Sequence, residues 1–166
     1  MREIYTEVAE VLCEHKQLNI NAMAICQSLG YNGFKRLHRC LSKKMMCAEI
    51  SLINNFYDKY RDVFLPPHAT ATYAPRDLKS HLMEWDKKLL DGITKLGDAN
   101  KKHFEKVGVE NCVIKDIMEC MLHDYEKCGR WYKRFEETSW LAHDLHVLDD
   151  RLHDKLKKIE ESGNPY

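Results

Sequence analysis

The four prolines of this chain fall in only two places, at 66, 67 and 75 and at 165. Proline lacks the amide a helix needs, and its ring clashes with the preceding turn. Residues 1–64 and 76–164 are therefore free of the strongest helix breaker, and both carry apolar residues at helical spacing. Between them, Leu65-Pro66-Pro67-His68-Ala69-Thr70-Ala71-Thr72-Tyr73-Ala74-Pro75 cannot be helical throughout and reads as an extended connection. The chain must fold as two helical blocks joined by one long link.

Glycines divide each block again. Ile4, Val8, Val11, Leu12, Leu18, Met23, Ile25 and Leu29 mark a helix over 3–29, stopped by Gly30 and the Asn32-Gly33 pair. The pattern resumes over 33–63 with Phe34, Leu37, Leu41, Ala48, Leu52, Ile53, Phe56 and Tyr60. A third helix is expected over 76–105, through Leu78, Leu82, Trp85, Leu89, Ile93 and Leu96, before the Val107-Gly108-Val109 break. A fourth over 111–140 carries Ile114, Ile117, Met121, Cys128, Trp131 and Phe135, and a shorter, charged fifth occupies 144–160. Short links at 30–33 and 106–110 make antiparallel hairpins of the first and last pairs. The expectation is one all-α domain over 1–166: a four-helix bundle with one long crossover and a short C-terminal fifth helix.

Composition narrows the function classes. The 26 basic residues balance the 26 acidic ones, so the net charge is zero, and 44% of residues are hydrophobic. That combination excludes intrinsic disorder and disfavours a general nucleic-acid or membrane-surface role. No apolar run approaches the roughly 18 residues of a membrane span. The acidic start, Met1-Arg2-Glu3-Ile4-Tyr5-Thr6-Glu7, lacks a signal peptide's apolar core, so a cytoplasmic location is expected unless a leader has been removed. Seven cysteines without a CxxC pair argue against a zinc ribbon, and their odd number forbids a complete set of intrachain disulfides. Most read as small buried apolar residues. The alternative is soft-metal or redox chemistry near Cys40, Met45, Met46 and Cys47, with Cys40 and Cys47 on one helical face. No G-x-S-x-G, P-loop or G-x-G-x-x-G pattern is present.

The segment Leu29-Gly30-Tyr31-Asn32-Gly33-Phe34-Lys35-Arg36-Leu37, then Ser42, then Phe64-Leu65-Pro66 resembles the ferritin family. Ferritins share a turn of the G-[LY]-x-G-F type, a serine opening the S-x-E-E-R-E-H-A motif and an apolar-proline crossover. The resemblance extends more weakly over nearly the whole chain. It implies a ferritin-like bundle that self-associates into a cage of about twenty-four subunits, alone or with other ferritin subunits, and serves iron storage and homeostasis.

The same resemblance implies that the family's chemistry has been lost. A ferroxidase centre needs carboxylates and a histidine converging inside the bundle, because hard cations take oxygen and imidazole ligands. Counted without gaps from Phe34, the E-x-x-H positions of helix two fall on Met45 and Ala48, neither of which binds ferrous iron in that way. The first-helix glutamate falls near Leu12, and a gap in the register brings Glu10 or Glu14 into place. Glu84 and Glu126 correspond to the remaining carboxylate positions on helices three and four. The mineral-nucleating acids of a light-type subunit correspond to Cys40, Lys43, Lys44, Cys47 and Ile50, where lysines repel ferric ions. No intact di-iron site and no enzyme activity are expected, although iron in storage or transit is.

Two further features follow from the resemblance. Asp116 and Glu119 correspond to the acidic pair of the threefold channel, where three copies form a ring attractive to divalent cations. Ordinary solvated helix surface is the alternative, and their face continues to His123 and Glu126. The terminal helix carries His143, His146, Asp150 and His153 on one face, and Leu152-His153-Asp154-Lys155 resembles the helix that lines the fourfold axis. A fourfold histidine stripe could bind a transition metal or open a pore as it charges near pH 6; a hydrated helix is the bland reading. Leu141-Ala142-His143-Asp144 holds no breaker, which leaves helix four free to run straight on.

Two rival functions stand beside the non-catalytic cage subunit. One is a di-metal enzyme with displaced ligands drawn from Glu10 or Glu14, Glu84, Glu119, His123 and Glu126. The other is a binding module that holds an anionic partner through Lys35, Arg36, Arg39, Lys43 and Lys44.

Overall fold

The computed structural model describes the backbone of residues 1–66, 77–137 and 142–162, and their side chains outside 128–144. The described residues form five helices: α1 (Arg2–Ser28), α2 (Asn32–Tyr60), α3 (Leu78–Val107), α4 (Cys112–Glu137) and α5 (Ala142–Glu161). No strand occurs among them. No described helix is long and apolar enough to cross a membrane.

The helix ends follow from local chemistry. Gly30 takes a left-handed φ of 81° after α1, so that the Tyr31 amide reaches the Cys26 carbonyl at 2.8 Å and the Gly30 amide reaches Gln27 at 3.2 Å. Gly108 closes α3 in the same left-handed region. The start of α3 is set by Asp77, whose carboxylate accepts from the Ser80 amide at 2.8 Å. The end of α2 departs from the sequence expectation of residue 63. Arg61 adopts φ 52° and its amide closes on Tyr57 at 2.8 Å, so the last turn ends at Tyr60, ahead of the prolines.

Pair contacts fix the helix directions. The hydrogen bonds Tyr5–Asn55 and Asn19–His38 make α1 and α2 antiparallel. Lys102–Glu7 at 2.7 Å and Lys88–Glu14 at 3.3 Å make α1 and α3 antiparallel. Helices α3 and α4 meet at the Asn100–Asn111 turn, and Gly92 approaches Met121 further along. It follows that α2 and α3 point the same way, and the link between Tyr60 and Leu78 must carry the chain back along the bundle.

The main core is shared by α1 to α4 and includes Leu12, Leu41, Met45, Leu52, Trp85, Leu96, Ile114 and Met121. A second cluster joins Cys26, Tyr31, Phe34, Leu78 and Leu82 to Leu145, Leu152 and Leu156 of α5. Spacings of seven and four along α5 put those leucines on one stripe. Helix α5 lies along the first half of α2, with Asp149 at Gly33 and Glu160 near Arg36. It therefore runs opposite to α4: the chain doubles back, and α4 does not continue straight into the last helix. Gly33 permits this approach, because a side chain there would collide with the Asp149 backbone.

Candidate metal centre

Among the described residues, one group of three or more Cys, His, Asp or Glu side chains converges as a metal site would require. Cys26, His38 and His81 are all buried, and their ligand atoms lie within 4.8 Å of one another. They come from three helices. Cys26 lies in the last turn of α1, His38 two turns into α2, and His81 in the first turn of α3.

Asn19 and Trp85 organise the group. Asn19 donates through Nδ2 to the His15 carbonyl at 2.8 Å, which turns its Oδ1 toward the interior. That oxygen faces His38 Nδ1 at 2.8 Å and accepts from Trp85 Nε1 at 3.3 Å. An amide oxygen can only accept, so His38 carries its proton on Nδ1 and presents a lone pair at Nε2. His81 Nε2 sits 2.8 Å from that lone pair and must donate to it. The tautomers are thus set by the hydrogen-bond chain that begins at Asn19.

Burial determines the charge state. Removal from water holds His38 well below the usual imidazole range, and neighbouring His81 acts in the same direction. His81 is lowered to about 4 by burial alone. The Cys26 thiol is pushed up to about 12, by burial first and then by the Asp149 charge. At neutral pH the cluster holds two neutral imidazoles and a thiol, with no net charge. His15, one turn before Asn19, is lowered to about 4, chiefly by burial. Its ring packs so closely against Gly92 that a side chain there would collide with it.

The residues singled out from the sequence are distributed differently. Glu84 is half-buried on α3, whereas Glu119, His123 and Glu126 are exposed on α4. Asp116 is exposed and lines a groove of about 760 Å³ between α2 and α4, with Arg39, Lys43 and Cys47 opposite. Met45 lies in the apolar core, and Ala48 is half-buried beside it. Glu10 is exposed, and Glu14 is paired with Lys88. Of the basic stretch on α2, Arg36 pairs with Glu160 at 3.4 Å and Lys44 with Asp124 at 2.7 Å.

The terminal histidine stripe is divided. The side chain of His143 lies outside the described residues. His146 stacks on Tyr31 with ring centroids 4.8 Å apart, and His153 is half-buried against the start of α2. Cys40 and Cys47 both line the groove between α2 and α4, on one face as their spacing requires, but they do not join a ligand group.

No protein-family model matches this chain, and no curated protein matches it. Cys26, His38 and His81 match no ligand spacing in the sequence. The available signal was a histidine on the apolar stripe of a helix: His38 falls between Phe34 and Leu41, and His81 between Leu78 and Trp85.

Proposed function

We propose that this chain is a non-catalytic ferritin-like subunit that builds, or contributes to, an iron-storage cage. The observation that carries the reading is the sense of the helices. Two antiparallel hairpins are joined so that α2 and α3 point the same way, the arrangement of a bundle with a single long crossover. The sequence at the α1–α2 turn and at the entry to the crossover supports the same family. The side chains at the helix-two ligand positions, Met45 and Ala48, belong to the apolar interior and supply no oxygen or nitrogen to iron.

The di-metal alternative needs Glu84, Glu119, His123 and Glu126 to face one point, and three of these are exposed on α4. The anion-binding alternative draws on five basic side chains of α2, two of which are engaged by Glu160 and Asp124. Neither has an observation that favours it over the cage.

The test is native mass combined with iron oxidation. The purified chain is expected to migrate as an assembly of about twenty-four copies, or to enter one when mixed with ferroxidase-active ferritin subunits. It should oxidise ferrous iron no faster than buffer. A monomer or dimer that ignores such partners would overturn the cage, and turnover lost in Glu126→Ala would restore the enzyme.

A further inference from the structure

The geometry points to a buried copper(I) site, with Cys26 Sγ, His38 Nε2 and His81 Nε2 as three ligands in a trigonal arrangement. The inference goes beyond the cage reading and does not depend on it, because none of these three residues is one that the ferritin resemblance assigns to iron.

The donor set comes first. One thiolate and two imidazoles with no carboxylate suit a soft or borderline metal and disfavour the hard cations that iron-storage sites handle. Charge then chooses among soft metals. Binding displaces the thiol proton to bulk solvent, so Cys–SH plus Cu⁺ gives a Cys–S–Cu unit and one H⁺. No electron moves. The product is neutral, as the metal-free cluster was. Zn²⁺ in the same three ligands would leave one net positive charge, in a site where desolvation already holds both imidazoles unprotonated. Burying that charge is costly, and the carboxylate whose charge reaches Cys26, Asp149, is outside the ligand group and already engaged by the Gly33 and Phe34 amides. The three ligands also stop short of the four that structural zinc takes, whereas copper(I) is content with three.

The geometry needs only small adjustment. With metal–nitrogen bonds of about 2.0 Å and metal–sulfur bonds of about 2.3 Å, trigonal coordination sets the two Nε2 atoms about 3.5 Å apart and each about 3.7 Å from Sγ. The Nε2 atoms now stand 2.8 Å apart, sharing one proton, and Sγ lies within 4.8 Å of a ring nitrogen of each histidine. Metal entry opens the imidazole pair by less than 1 Å and draws the sulfur in by a rotamer-sized shift. His81 then carries its proton on Nδ1.

The outer shell is already built. Ligating histidines characteristically donate their other ring N–H to a fixed acceptor, which sets the ring orientation and raises ligand basicity. His38 does this through Nδ1 to Asn19, which is itself held by the His15 carbonyl and by Trp85. Because the ligands come from α1, α2 and α3, a bound ion would cross-link three helices of the bundle.

The test uses the full chain with its exposed thiols, including Cys47, Cys112 and Cys120, blocked by N-ethylmaleimide. Copper(I) is supplied without oxygen, held reduced by ascorbate and buffered by bicinchoninate. The protein should withdraw one copper per chain and melt at a higher temperature when loaded. X-ray absorption should show one sulfur and two imidazole nitrogens. Cys26→Ser and His81→Gln should each weaken retention at least a hundredfold and abolish the thermal shift. If either variant fails to fold, the wild-type absorption spectrum decides alone. Two or more sulfurs at the metal, undiminished retention in folded Cys26→Ser, or displacement of the copper by equimolar Zn²⁺ would overturn the assignment.

Discussion

At the end of the bundle where α1 begins, a buried hydrogen-bond chain is built of amides and a phenol; at the end where it finishes, another joins an amide to two imidazoles beside a thiol. The first end joins four helices through Asn111. Its backbone amide donates to Asn100 at 3.0 Å, and its side-chain nitrogen donates to the Tyr5 hydroxyl at 2.7 Å. Tyr5 in turn donates to Asn55 at 2.6 Å, within an aromatic cluster with Phe56, Tyr60 and Phe64. None of these groups titrates near neutrality, and burial pushes Tyr5 further away, to about 12. The second end contains His38, His81 and Cys26, with His15 one turn before Asn19. Both chains tie helices together through buried polar groups, but the second is built of titratable nitrogens beside a thiol, a set that a proton or a metal can use. The difference is between a fastener and a site.

Acidification should therefore act on the imidazole chain and leave the amide chain alone, and with the largest effect. Unfolded imidazoles take up protons near 6.5, while folded His15 and His81 refuse them until about 4 and burial holds His38 well below the ordinary range as well. Between these values the unfolded state binds more protons, so stability falls as the pH drops. Each such imidazole removes about 2 kcal/mol between pH 8 and pH 5. The slope of unfolding free energy against pH should correspond to the uptake of two to three protons across pH 6 to 5. A flat profile there would show that the buried imidazoles are not held neutral and would erase the contrast between the ends.

The amide chain at Asn111 should respond to mutation and ignore pH. Asn111 is fully buried, and its side-chain oxygen also accepts from the Val113 and Ile114 amides at the start of α4, at 3.1 and 3.4 Å. Asn111→Ala removes that cap and the tie to Tyr5 together, a loss of about 3 kcal/mol. Urea denaturation at pH 8 and pH 5 should give the same difference from wild type. A loss that changes with pH would mean that the two ends are coupled through the core.

The fastener was more legible in the sequence than the site. Gly30, Gly108, the prolines and the apolar stripes act locally, so helix number and most boundaries follow from neighbouring residues. The exception at Arg61 is a non-glycine residue in a left-handed cap, which no turn signature announces. The metal cluster is not local: His38 lies twelve residues after Cys26, and His81 forty-three after His38. A histidine on an apolar stripe reads first as core, and only helix packing makes three such positions meet. The docking of α5 was hidden for a similar reason. Its histidine stripe is the conspicuous pattern, whereas the residues that seat it are the adjacent leucines and Asp149.

Asp149 exposes a last asymmetry, between a cap made locally and one borrowed from afar. At the amide end, α4 is capped by Asn111, two and three residues before the amides it serves. At the other end, the N-cap residue of α2, Tyr31, makes no side-chain cap bond. The first-turn amides of Gly33 and Phe34 instead donate to the buried Asp149 carboxylate, at 2.9 and 2.8 Å, across 116 and 115 residues of chain. Burial raises the carboxyl of Asp149 above the ordinary aspartate range even though these amides pull it down. The acid is therefore harder to ionise folded than unfolded, and its value lies in the two bonds and not in its charge. Asp149→Ala should cost about 1–2 kcal/mol and speed hydrogen exchange at the Gly33 and Phe34 amides. Asp149→Asn, which keeps an acceptor oxygen and drops the charge, should recover about half of that. The amides of Val113 and Ile114 should exchange at wild-type rates in both variants. If they exchange faster too, the two caps open together and the bundle ends are not independent.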